Sequence, residues 1–299
     1  MKIGKFDSEK EVLIVAEIGN NHEGRYELAQ KLVQKAAECG VDAVKFQTFD
    51  TKFYVSQKDE ARYHQLRSFE LNISQFKELS DLAHSLGLLF FSTPFDLESV
   101  RLLKEIVDAY KIASGDSNFY PLLESIAQIS KPIILSTGLS DFQQILRSVQ
   151  FIEEVRRKSS LPAQLALLHC VTAYPASPEE VNLHSIPFLR ENFKCPVGYS
   201  DHTIGTDACV AATALGACII EKHFTLDKAF SSFRDHQLSA DPAELKQLVQ
   251  RVQLVSSMLG EFQKAIQPSE KILSPFIRRS IVAAGKLAKG HQISSSDLT

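Results

Sequence analysis

Alternation constrains this chain more than any other feature of its sequence. Apolar runs of strand length recur eight times, at residues 12–18, 43–47, 88–92, 109–113, 132–136, 164–169, 195–199 and 217–223. Between them lie spans with helical spacing of apolar residues, at 26–39, 74–86, 97–107, 122–129, 142–157, 206–215 and 242–259. Strand–helix alternation implies parallel strands joined by right-handed crossovers. Eight such units closing on themselves make a (β/α)8 TIM barrel of the α/β class. The competing architecture, an open doubly wound sheet, is disfavoured because no glycine-rich fingerprint follows the first strand. Residues able to do chemistry also end nearly every strand instead of clustering at one switch point.

Period-two alternation assigns those residues to faces. In "DAVKFQ" it sets Ala43, Lys45 and Gln47 on one face and Val44 and Phe46 on the other. With the apolar set packed on the helices, Lys45 and Gln47 point into the barrel. The same parity turns Val15 with Glu17, Ala109 with Lys111, and Ile219 with Glu221 and His223 inward. Each polar group lies near the C-terminal end of its strand, where barrel enzymes build active sites. A single such lysine is as readily a paired or snorkelling side chain. Several strands doing this together point to a site, because unpaired charge inside a barrel is costly.

Hydroxyls gather at the same ends: Ser92 and Thr93, Ser114, Ser136 and Thr137, and Ser200. Singly these are turn formers or helix caps; with two lysines they suggest a cradle for phosphate or carboxylate. His202 and His223 end neighbouring strands, so both reach one point above the barrel as candidate ligands of a divalent metal. With only two protein nitrogens the site is open to water and substrate, which suits a Lewis acid. Asp201 is expected either to orient an imidazole or to cap the next helix. His169 and Cys170 are adjacent in a strand and face opposite sides, which argues against a thiol–imidazole dyad. His22 and Glu23 fall in the turn-rich "GNNHEG" and read as loop residues.

Composition narrows the function classes. The 299 residues are 44% hydrophobic, enough for a sizeable core, and 33 basic against 36 acidic residues give a net charge of −3. Neither nucleic acid nor an anionic membrane is expected as partner, so an anionic ligand must be held by a few local cations. The five cysteines form no CxxC pair, and no signal peptide or membrane-length apolar run is apparent, so a cytoplasmic location is expected.

Taken in order, "VAEIGNNHEG", "DAVKFQTF", "FSTPFD", "YKIASGD", "KPIILSTG", "LLHCVTAYP", "GYSDHT", "ALGACIIEKHFTLD" and "DHQLSADP" resemble the sialic acid synthase family. That family includes spore-coat polysaccharide synthases and synthases of legionaminic and related nonulosonic acids. The resemblance spans about residues 11–299 and implies a TIM barrel that condenses phosphoenolpyruvate with an N-acetylated amino sugar aldehyde, such as N-acetylmannosamine, and water, releasing phosphate. It implies Mn2+, or another divalent ion such as Mg2+ or Co2+, on His202 and His223. Lys45, Thr93, Lys111, Ser114, Ser136 and Ser200 would hold phosphoenolpyruvate. Gln47, Tyr174 and Asp235 would contact the sugar, and Glu17 and Asp116 would be catalytic.

Two departures concern the sugar: the segment before Asp235, "DKAFSSFRDHQLS", differs from the family's usual loop, and Thr172 stands where some members have asparagine. The barrel is expected to occupy residues 1–266. Residues 267–299 are expected to hold a linker, at 267–274, and the start of an antifreeze-like (SAF) domain, truncated at Thr299. In the family that domain swaps across a homodimer and supplies an arginine to the partner's sugar site, which this chain as written would lack. Two other functions stay open at this point: a Schiff-base aldolase on Lys45 or Lys111, and a catalytically weakened binding or assembly protein.

Overall fold

A computed structural model describes residues 1–299. Eight parallel strands close into a barrel: β3 (Leu13–Gly19), β4 (Ala43–Thr48), β5 (Leu89–Pro94), β6 (Ala109–Ile112), β7 (Ile133–Ser136), β8 (Leu165–Cys170), β9 (Val197–Asp201) and β10 (Ile219–His223), with β10 returning to β3. A hairpin of β1 (Lys2–Ile3) and β2 (Phe6–Asp7) precedes them. The helices are α1 (Tyr26–Cys39), α2 (Thr51–Tyr54), α3 (Glu60–Phe69), α4 (Ile73–Ser85), α5 (Leu97–Leu102), α6 (Tyr120–Ala127), α7 (Phe142–Lys158), α8 (Ser185–Asn192), α9 (Asp207–Ala214), α10 (Arg234–Leu238), α11 (Pro242–Leu259) and α12 (Pro268–Ile277).

Local chemistry explains where the main helices begin and end. Capping boxes open α4 (Asn72 with Gln75) and α7 (Asp141 with Gln144), and Gly40, at φ +85°, closes α1 in the left-handed conformation. Two apolar layers follow from strand parity. Val44, Phe46, Phe90, Tyr110, Ile112 and Leu135 face outward onto the helices. Leu13, Val15, Ala43, Phe91, Ala109, Ile134, Ala166, Leu168 and Ile219 fill the lower barrel. Ile3 and Phe6, 1% and 4% exposed, close that layer from below, each worth about 1.5–3 kcal/mol of burial.

The expected strands all form, and the expected inward parity of Lys45, Gln47, Lys111, Glu17, Glu221 and His223 follows from the same packing. Differences lie in the connections. The crossover between β8 and β9 is α8, whose short "SIPFLREN" carries a proline and too little apolar periodicity to stand out. The helix expected over 97–107 stops at Leu102. α2, α3 and α10 arise in stretches without helical patterning.

The chain divides into two compact units, Met1–Leu259 and Gly260–Thr299, so the first ends at Leu259 rather than at residue 266. In the second unit, the stretch at 267–274 expected as a polar linker forms most of α12. Proline stands at its N-terminus, and a capping box joins Gln267 to Glu270. A single antiparallel bridge there pairs Ala283 with Leu298. No helix is long and apolar enough to cross a membrane.

Candidate active site

Four charged side chains meet at the C-terminal end of the barrel. Lys45 Nζ lies 3.1 Å from Glu17 Oε2, 3.5 Å from Glu221 Oε2 and 3.3 Å from Thr93 Oγ1. Lys111 Nζ donates to Ser136 Oγ at 2.6 Å and lies 3.8 Å from Glu221 Oε1, which also accepts from Ser200 Oγ at 2.8 Å. Strand register produces this convergence, since Glu17 pairs with Lys45 across β3–β4 and Ser200 with Glu221 across β9–β10. All four charges are nearly sealed from solvent, between 2% and 6% exposed.

Glu221 is therefore the hub of the cluster, bridging both lysines. It is not among the candidate residues drawn from the sequence, although the parity of β10 already turns it inward. Gln47 Nε2 donates to Glu17 Oε1 at 3.1 Å, and Asn20 Nδ2 donates to Gln47 Oε1 at 2.9 Å. Gly19, at φ +53° beside a register shift in β3, lets the chain turn over this pair; a Cβ there would sit 3.0 Å from Glu17 Oε1.

Burial and pairing set the protonation of the cluster. Burial raises the Glu17 carboxyl above its ordinary range, against the pull of Lys45. Burial tends to raise Glu221 too, but Lys111 and Lys45 outweigh it and hold it low. Burial works to lower Lys45, yet Glu17 and Glu221 raise it on balance, whereas Lys111 is lowered by burial. Asp116, half-buried above β6 with no hydrogen bond to its carboxyl, is pushed up to about 6 by burial.

Ser114 stands apart from the lysines. Its Oγ accepts from the Gly138 backbone N–H at 3.1 Å and lies 3.4 Å from Cys170 Sγ. Gly138 makes this possible, because a Cβ there would come within 2.3 Å of Thr172 Oγ1 and 2.7 Å of Ser114 Oγ.

The two histidines face each other, ring centroids 5.5 Å apart. His202 Nδ1 donates to the Val171 carbonyl at 2.7 Å, which leaves Nε2 as the nitrogen open to a cation. Burial works to lower this imidazole, but the Cys170 thiol beside it and the Val171 carbonyl raise it on balance, so a cation bound there would displace a proton. His223 Nδ1 is buried without a partner, and burial, followed by the charge of His202, holds this imidazole well below its ordinary pKa. A neutral ring with an orphaned nitrogen beside a ring oriented by the Val171 carbonyl fits an open two-imidazole cation site. No cluster of three or more His, Cys, Asp or Glu side chains is arranged as a closed metal cage.

Tyr174 leans on His202, with centroids 4.1 Å apart, and the Arg234 guanidinium lies 4.7 Å over the tyrosine ring. Arg234 Nε is 3.4 Å from Asp235 Oδ1, and burial raises the Asp235 carboxyl. Asp235 is thus brought to the rim by α10, beside Tyr174.

Other expectations resolve as packing. Asp201 neither touches an imidazole nor caps α9; strand alternation puts it outside the barrel, bonded to Lys222 at 2.7 Å. His169 also faces outward, donating from Nε2 to Val181 O, while the Cys170 thiol faces inward 3.9 Å from His202, so the two form no dyad. His22 is buried against Phe46 and lowered to about 4 by burial. Glu23 bonds Ser231 and His236, clasping the loop after β3 to α10.

The NeuB family model matches residues 32–264. An uncharacterized protein of Methanocaldococcus jannaschii is 45% identical over 96% of this chain and 83% of its own length. The N,N'-diacetyllegionaminic acid synthase of Campylobacter jejuni is 41% identical over 97% of this chain and 90% of its own. Among solved structures, the N-acetylneuraminic acid synthetase of Leptospira borgpetersenii superposes with a TM-score of 0.85 at 32% identity, covering 92% of this chain and 95% of that one.

Proposed function

The chain belongs to the NeuB family, and from that premise we propose that it condenses phosphoenolpyruvate with an N-acetylated amino sugar aldehyde and water to give a nonulosonic acid and phosphate. The observation that carries the reading is the buried Lys45–Glu221–Lys111 cluster with Thr93, Ser136 and Ser200 around it. Cations and hydroxyls sealed from water on converging strand ends suit a small dianion or trianion, and Glu221 occupies them until an anion displaces it.

Charge balance supports a metal beside them. Two lysines and two glutamates sum to zero (2 − 2), yet a phosphate carries about −1.5 to −2 at neutral pH, and phosphoenolpyruvate adds a carboxylate. A divalent ion, Mn2+ or else Mg2+ or Co2+, would offset most of that excess and leave Glu17 free to act as a base. His202 and His223 would hold the ion, which when bound supplies Lewis-acid polarisation of the aldehyde oxygen.

The chain's own residues do the rest. Lys45, Lys111 and the hydroxyls, Ser114 included, fix the phosphoenolpyruvate so that its C3 meets the aldehyde carbon. Glu17, held by Gln47 and Lys45, orients the water that adds at C2 and takes its proton, and Asp116 serves as a second proton holder at the rim. Gln47, Tyr174 and Asp235 receive sugar hydroxyls. The new carbon–carbon bond forms at C3, and phosphate leaves with cleavage of its C–O bond. The same reading places the reaction in the cytoplasm and expects a homodimer where a full SAF domain follows the barrel.

The experiment is a panel of phosphoenolpyruvate, Mn2+ and several acetamido hexoses, scored by product mass and released phosphate. Phosphate release that requires both metal and sugar is expected. No release in any mixture would replace the reading with a binding protein, and a borohydride-trapped lysine adduct formed with a keto substrate and without metal would replace it with an aldolase.

A further inference from the structure

The outer faces of β9 and β10 carry charge where a barrel wall is otherwise apolar. Lys222 and Asp201 pair in register across the two strands, and their side chains are 1% and 0% exposed. Lys222 Nζ is 2.7 Å from Asp201 Oδ2 and donates to the Thr203 carbonyl at 2.5 Å. Asp201 also accepts from the Tyr199 hydroxyl at 2.9 Å, the Thr203 N–H at 2.9 Å and the Cys209 thiol at 3.3 Å. Packing alone does not call for such a pair, since well-fitted apolar residues in its place are often as stable or more so. What ions and their hydrogen bonds add is direction.

That direction bears on the histidines. Asp201 immediately precedes His202, and Lys222 immediately precedes His223, so alternation sets each ion back to back with an imidazole. The two bonds from Lys222 land at residues 201 and 203, on either side of His202, so the residue that anchors His223 also brackets its partner. His202 has further supports, through Val171 O and through Ala176 N–H donating to its carbonyl. The His223 ring has none at Nδ1 and takes its place from its strand.

We propose that Asp201 and Lys222 are positioning residues that fix the separation and aim of His202 and His223 as a divalent-cation site. This rests on the reading that the two histidines hold the metal. The test titrates Mn2+ alone into the full chain by calorimetry, for wild type, Lys222→Arg, and the double variant Asp201→Asn with Lys222→Met, alongside thermal melts. Both variants are expected to fold and to bind Mn2+ about 10- to 100-fold more weakly, the range for losing a partner behind a ligating histidine. A folded variant that binds within about threefold of wild type overturns the positioning role and leaves the metal reading standing. Lys222→Arg keeps the buried charge and decides alone where the double variant does not fold; if both unfold, the pair serves folding and the proposal falls. Wild type that binds no Mn2+ sinks both readings together.

Discussion

The inner floor of the site and its rim are built in different ways. Lys45, Lys111, Ser136, Ser200 and Glu221 stand on strands and are between 2% and 6% exposed, and each holds another within hydrogen-bond or ion-pair distance. Their geometry is inherited from barrel register and changes only if strands slip. The rim comes from connections: Tyr174 from the loop after β8, Asp116 from the turn after β6, and Arg234, its side chain 66% exposed, with Asp235 from the short α10. Loops on a rigid barrel can change without disturbing the floor. On the proposed function, anion binding falls to the floor and choice of sugar to the rim.

Substitutions break that division in descending order. His223→Ala at the junction of floor and rim is expected to abolish Mn2+ dependence and turnover together; full metal-dependent activity would contradict the ligand assignment. Lys111→Ala should lower kcat/KM about 10²- to 10³-fold, the usual cost of removing a preorganised charge contact. The loss should fall on phosphoenolpyruvate, and a loss confined to the sugar would show that floor and rim are reversed. Asp235→Asn should raise the sugar KM about tenfold, or roughly 1.4 kcal/mol, with phosphoenolpyruvate unaffected, as steady-state kinetics in each substrate would read.

The smallest effect concerns Asp116. Its folded-state pKa, about 6, is raised by burial above the ordinary 3.8. The protonated carboxyl therefore favours the folded chain, a contribution fully present below pH 3.8 and lost as pH rises through 6. Asp116→Asn should be more stable than wild type above pH 6 by about 1 kcal/mol after solvent screening, with the difference vanishing near pH 4 in denaturant titrations.

Most of the floor was legible because strand parity is a local, two-residue rule. It turned Lys45, Lys111, Glu17 and His223 inward before any contact was known. It turned Glu221 inward as well, but the value of that residue lies in bridging lysines on two other strands, which no local rule reveals. For Asp201 the sequence offers a helix cap or a support for an imidazole; the cap does not form, and the partner that holds it, Lys222, lies 21 residues on, beyond any local rule. The rim was least legible. α10 and the clasp from Glu23 to His236 depend on contacts across 213 residues of sequence.

The hairpin of β1 and β2 has a kinetic consequence. With Ile3 and Phe6 sealing the N-terminal end and the lower layer packed solid, ligands enter and leave by one mouth. On the proposed function, an anion on the floor would lie beneath a sugar at the rim, and the two would queue like plates in a stack. Phosphoenolpyruvate is expected to bind first, and initial-rate patterns should be those of an ordered sequence; random-order patterns would mean that the floor has a second door.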